Sequence, residues 1–282
     1  MDFFSILTFS SKRYPLYIQE CSGVQWVLPD YRRSVGSDCI VIDQSSFKVD
    51  FLNLGKSLFT LMPDNYWPGQ YRHMLDIVTM GSGDHMAFLN EQFRGIQGGD
   101  LLVDFFEKYG LPSTTDEFCN DFSGGEKHDI LAKYAHDCIP EYGTCSKIQF
   151  SPAGLEWPTA VLADFIIEIF LLSTRPEEIT RRIKNNFRQL VRTTNLSYTA
   201  TFRIGQSGYE QSCHISSMFD YAALLILHDP HTVVRECPNC KRVFLPSNLR
   251  AQKYCSHSCQ NSAASKRSQA KRAAEKKVEN NG

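Results

Sequence analysis

The chain has 282 residues, 42% of them apolar, with 10 cysteines and 30 Lys plus Arg against 31 Asp plus Glu. That apolar fraction excludes wholesale disorder, and the length suits about two domains. The formal charge of −1 conceals an asymmetry: residues 237–282 hold 10 Lys/Arg and 2 Asp/Glu, or +8, leaving the preceding 236 residues at −9. An acidic body joined to a basic end assigns a polyanionic partner to one segment only.

The opening Met1-Asp2-Phe3-Phe4 places an acid where a secretory signal needs a basic start, so no signal peptide is expected. The most apolar run, Ala160 to Leu172, is interrupted by Asp164 and Glu168 and is shorter than the roughly 18 to 20 residues a span needs. No membrane association is expected. Four cysteines share a metal-type spacing and six are scattered singly, a usage that suits a reducing cytoplasm.

Residues 1–60 read as a β-rich N-terminal segment, with strands at Tyr17–Gln19, Val24–Leu28, Cys39–Ile42 and Phe47–Phe51 forming a small antiparallel meander. Residues 61–232 read as a mainly helical body. Helices are expected at Tyr71–Met80, Asp84–Phe93 and Asp100–Tyr109, then a loop over 112–127 and a short helix over 128–137. Pro158 to Leu172 is apolar on nearly every side and predicts a buried central helix. Thr174-Arg175-Pro176-Glu177 combines a capping Thr, a first-turn Pro and a Glu three residues on, predicting a helix start that continues to Arg192. Within 196–216, Leu196–Ile204 and Tyr209–Ser216 alternate around Gly205-Gln206-Ser207-Gly208 and predict a hairpin with a four-residue loop. A helix over Ser217–His228 closes the body. The expected class is α+β, completed over 233–282 by a small treble-clef-like zinc finger that ends in a long basic helix.

That finger is carried by Cys237-Pro238-Asn239-Cys240, fourteen intervening residues, and Cys255-Ser256-His257-Ser258-Cys259. Two close thiolate pairs brought together by a loop are what tetrahedral Zn²⁺ requires, so Cys237, Cys240, Cys255 and Cys259 are the expected ligands of one structural ion. His257 is the competing ligand. Phe244, Leu249 and Tyr254 are candidates for a miniature core, too small to fold a segment of this size without metal. After Cys259 no Gly or Pro interrupts a run of good helix formers.

Residues 235 to about 272 resemble the CGNR-type zinc finger of bacterial proteins assigned to transcriptional regulation. They also resemble the wider set of short bacterial fingers with Cys-x-x-Cys, Phe, a basic loop, Tyr-Cys, Cys and a basic helix. Cys237, Cys240, Phe244, Tyr254, Cys255, Cys259 and Asn261 occupy matching positions, and Cys259-Gln260-Asn261-Ser262 stands where the family reads Cys-Gly-Asn-Arg. The resemblance implies a DNA-binding regulator with the finger at its C-terminal end.

Lys266, Arg267, Lys271, Arg272, Lys276 and Lys277 follow the ligands, and Lys241, Arg242, Arg250 and Lys253 decorate the hairpin and loop. Such density suits phosphate neutralisation. At 100° per residue the six helix charges fall at about 0°, 20°, 100°, 140°, 240° and 280°, wrapping the helix rather than forming one stripe. Backbone contact should therefore dominate, with Arg250, Lys253, Lys266, Arg267, Lys271 and Arg272 as phosphate contacts and Asn261 near the helix start as the base-edge candidate. Four thiolates on one Zn²⁺ add −2, bringing the segment to about +6.

Other constellations are weaker. Asp164 and Glu168 share a helix face and read as the wet edge of a core helix. Cys119, His128, His136, Cys138 and Cys145 match no compact ligand spacing, Phe122 to Lys127 lacks the P-loop pattern, and adjacent Cys213 and His214 in a strand point to opposite faces. The first functional expectation is a cytoplasmic zinc-dependent nucleic-acid-binding protein, a transcriptional regulator on DNA in preference to RNA, with room for self-association and a small-molecule effector. The alternatives are a protein-docking finger, and an enzyme whose active site lies unlocated in the body.

Overall fold

A computed structural model of the chain describes residues 6–9, 15–21, 24–29, 42–71, 96–110, 112, 159–179, 198–205, 208–215, 217–229 and 232–279. The strand expected at Cys39–Ile42, the helices expected at Tyr71–Met80, Asp84–Phe93 and 128–137, and the loop over 112–127 lie wholly or largely outside these residues. So do the scattered set from Cys119 to Cys145 and the far end of the helix expected to reach Arg192.

Helix α1, Gln44–Leu61, starts where Asp43 Oδ2 accepts the Ser46 backbone N–H at 2.8 Å. Hydrogen bonds from Ser46, side chain and backbone, hold the Asp43 carboxyl below its ordinary value. This helix replaces the strand expected at Phe47–Phe51. Phe47, Val49 and Phe51 do alternate, but Phe47, Phe51, Leu54 and Leu58 recur at helical spacing and all are buried, so the longer period and the cap decide the element.

Helix α2, Gly99–Tyr109, falls where expected and buries Leu102, Phe105, Phe106 and Tyr109. Phe47 lies at the centre of an aromatic cluster, 5.2 to 5.9 Å from the rings of Phe51, Phe105, Tyr109 and Tyr221. Helix α3, Thr159–Thr174, is buried on nearly every face, as its unbroken apolarity predicts. It packs closely on α1 at one point: a Cβ on Gly55 would stand 2.5 Å from the Phe170 Cβ and 3.1 Å from the Ile166 carbonyl oxygen. Thr174 ends α3 rather than capping a new helix, because its hydroxyl donates back to the Phe170 carbonyl at 2.7 Å. Pro176 opens a separate helical turn over 176–179.

Strands β2, Leu16–Cys21, and β3, Val24–Pro29, pair antiparallel as the first two strands of the expected meander. Strands β4, Tyr198–Gly205, and β5, Gly208–Ile215, form the later one, with pairing that continues to Gly205↔Gly208 and so closes tighter than the four-residue loop expected. Strand β1, Leu7–Phe9, joins neither N-terminal neighbour; it lies parallel to β5, pairing Leu7 with Cys213 and Phe9 with Ile215. Ser217 then caps helix α4, Met218–Ala223, which continues as a π-helical turn over Leu224–His228. Asp229 ends that turn in a buried ion pair with Lys48 of α1, Nζ to Oδ2 at 2.6 Å.

The architecture is α+β, mostly helical with short strands, and resolves into two compact units, Met1–Asp229 and Pro230–Gly282. No helix among the described residues is long and apolar enough to cross a membrane.

Candidate metal centre and basic helix

In the C-terminal unit, β6 (Arg235–Glu236) and β7 (Val243–Phe244) pair as a minimal hairpin, and the first cysteine pair sits in the turn between them. The turn is tightened by two backbone bonds of 2.8 Å, Cys237 N–H to the Arg242 carbonyl and Lys241 N–H to the Cys237 carbonyl. Lys241 adopts a φ of 62°, the left-handed region that side chains other than Gly, Asn and Asp seldom occupy. The second pair sits at the start of helix α5, His257–Glu279, where the Ser256 hydroxyl accepts the Cys259 backbone N–H at 3.2 Å. Knuckle, hairpin and helix therefore converge on one point, as the spacing predicts.

At that point the sulfurs of Cys237, Cys240, Cys255 and Cys259 all lie within 4.8 Å of one another. Cys240 to Cys255 and Cys255 to Cys259 are each 3.5 Å. These separations are far too long for disulfides, which need about 2.05 Å. They approach the edge of about 3.8 Å that four sulfurs make around a zinc ion at about 2.3 Å. The donor set therefore fits a tetrahedral thiophilic metal. His257 is exposed and outside this group.

The electrostatics show how strongly the four thiols act on one another. Burial pushes the Cys237 thiol up, but backbone amide hydrogen bonds around Cys240, Cys255 and Asn239 outweigh it and bring the thiol down to about 6. Cys255 moves the opposite way, to about 12, through burial and the neighbouring thiols of Cys259, Cys240 and Cys237. Deprotonating all four together would need a positive charge to compensate them, which a bound cation would supply.

Support comes from residues that spacing alone did not single out. The Asn239 side chain hydrogen-bonds Cys259 and holds its thiol below the ordinary value, while Lys266 Nζ donates to Asn239 Oδ1 at 3.1 Å. This chain of contacts ties α5 to the knuckle and orients a ligand. Arg235 donates through its guanidinium to the carbonyls of Gln252, at 2.8 Å, and of Leu249. Asn248 Oδ1 accepts the N–H groups of Arg250 and Ala251, and Gln252 bridges Ser247 and Tyr254. The loop between the cysteine pairs is thus held by polar bonds. The miniature core is smaller than expected: Cys237, Val243 and Phe244 are buried, Tyr254 is half-buried and Leu249 is 49% exposed.

Arg250, Lys253, Asn261, Lys266, Arg267, Lys271 and Arg272 are all exposed, the first two on the loop and the others on α5. From Cys237 to Ala274 the sequence contains eight Lys/Arg and no Asp or Glu. In the other unit, Asp164 departs from the wet-edge reading. It is completely buried on α3 and accepts bonds from the Tyr66 hydroxyl at 2.5 Å, Gly69 N–H at 2.8 Å and Tyr71 N–H at 3.2 Å. Three donors aimed at one carboxylate make it a clasp for the segment after α1, while Glu168 is half-buried.

No family model, no curated protein and no solved structure matches the chain.

Proposed function

We propose that residues 230–279 form a structural zinc module that binds nucleic acid through phosphate contacts, and that the chain is a cytoplasmic DNA-binding regulator of the kind its likeness to the CGNR-type finger implies. The observation that carries this reading is the acid-free stretch of 38 residues, 237–274, which holds eight Lys/Arg together with a cluster of four cysteines. Zinc bound by Cys237, Cys240, Cys255 and Cys259 would supply no reaction step; it would fix the knuckle, loop and helix start as one rigid platform. Arg250 and Lys253 on the loop and Arg267, Lys271 and Arg272 on α5 then neutralise phosphates, and each neutralised phosphate releases counterions.

The test is capture and sequencing of nucleic acid by the intact protein, with metal analysis and a Cys255→Ser/Cys259→Ser control. The expected result is about one zinc per chain and captured nucleic acid whose binding weakens steeply with salt. Capture no greater than the control, or binding indifferent to salt, would replace this reading with protein docking by the finger.

A further inference from the structure

Helix α5 extends well past the cysteines that anchor it. Its 23 residues span about 34 Å. Ala263 is half-buried, and every described side chain beyond it, from Ala264 to Ala273, is exposed. A helix that offers no apolar face to a core has a surface meant for water or for a charged partner.

The placement of charge narrows the partner. Lys266, Arg267, Lys271 and Arg272 lie at about 0°, 100°, 140° and 240° around the axis. A flat surface, whether an anionic bilayer or a protein patch, would meet one side of such a helix and leave the remaining cations unmatched. A groove with phosphates along both walls meets them on both flanks. The major groove of B-form DNA is about 12 Å wide and admits a helix of about 10 to 12 Å. The major groove of A-form RNA is too narrow to do so. Single strands are bound largely by stacking bases on exposed aromatics. Over 232–279 the aromatics are Phe244, which is buried, Tyr254, which is half-buried, and a single exposed imidazole, His257, which is no stacking platform for successive bases.

We infer that α5 occupies the major groove of duplex B-form DNA, with Arg267, Lys271, Arg272 and Lys266, whose ammonium has two further donors beside the one given to Asn239, contacting phosphates of both strands. The inference rests on the reading that this module binds nucleic acid, and it specifies the form bound. Asn261, exposed in the second turn of α5, is then the side chain nearest the groove floor at the anchored end of the helix.

The test uses the full-length zinc-loaded protein with one mixed sequence prepared as duplex DNA, duplex RNA and single-stranded DNA. Affinity is read by fluorescence anisotropy, and major-groove occupancy by dimethyl sulfate methylation of guanine N7. Duplex DNA should bind about tenfold or more tightly than either competitor, with guanine N7 protected. Lys271→Ala/Arg272→Ala should weaken binding and lower the salt slope by about 2. Equal binding of duplex RNA or of the single strand, unprotected N7 in the bound DNA, or an unchanged salt slope in the double variant would overturn the groove assignment while leaving nucleic-acid binding intact. Failure to bind all three would remove both.

Discussion

The two units hold their shape by different means. In the body, α1, α2 and α3 bury a dense aromatic and aliphatic core, from Phe47 and Phe51 through Phe105 and Phe106 to Phe170, and polar groups such as Asp164 pin particular segments onto it. Among the described residues of the C-terminal unit three are buried, and the loop between the cysteine pairs relies on Arg235, Asn248 and Gln252 for its form. The comparison teaches that a stretch too poor in apolar residues to fold by burial can be specified by polar bonds and a metal-competent cluster. Its surface stays free of any need to be apolar, and in this chain that surface is basic.

Removing the metal should separate the units most sharply. Chelation, or Cys255→Ser, should unfold residues 235–279 and leave the body intact, seen as loss of amide protection confined to that unit in hydrogen exchange; structural zinc contributes about 10 kcal/mol or more to such modules. Acid should act in the same direction. The Cys237 thiol lies at about 6 against an ordinary 9.0, so its thiolate contribution is complete above 9.0 and is lost as pH falls through about 6. Bound zinc competes with the proton for the same sulfur, so zinc release followed with a chromogenic chelator should rise as the pH is lowered, and release that increased with pH would contradict the assignment.

The converse perturbation is Asp164→Ala, which leaves the Tyr66 hydroxyl and two backbone N–H groups without their buried acceptor. It should destabilise the body by about 3 kcal/mol or more, lowering its thermal midpoint while zinc content stays unchanged. A smaller effect is expected at the metal's outer contacts. Asn239→Ala removes the hydrogen bond to Cys259 and the seat of Lys266, and should weaken zinc binding about 10- to 100-fold in competition titrations, without moving the body's midpoint. The smallest effect has the opposite sign. Lys241→Gly relieves a side chain from the left-handed region at φ 62° and should stabilise the C-terminal unit by up to about 1 kcal/mol, measured as greater resistance to chelation.

What the sequence revealed followed the strength of each local signal. The four cysteines were legible because metal chemistry fixes both residue type and spacing, and the α3 and β4–β5 segments because their periodicities are long and clean. Phe47–Phe51 misled because five residues fit both periods; only the cap at Asp43 and the continuation to Leu58 separate them. Asp164 was misjudged because a carboxylate on an apolar helix gives no sign of the distant donors, Tyr66, Gly69 and Tyr71, that justify its burial. Asn239 lay in plain view between two ligands, yet its role depends on the approach of Lys266 from 27 residues away. Charge density on α5 was countable, whereas the exposure of every side chain from Ala264 to Ala273 was a fact of the fold.

The pairing of β1 with β5 sets an order of events during synthesis. Leu7 finds its partner Cys213 only after some 200 further residues have been made, a wait of roughly 10 to 40 s at ordinary elongation rates. Until then the first strand is an open edge, and the sheet of the body cannot close. The cysteine unit has the opposite character: its four cysteines lie within 23 residues of one another, so the proposed metal site is complete as soon as Cys259 is available. Nascent chains should therefore carry two clocks, a slow one set by chain length and a fast one set by the supply of metal.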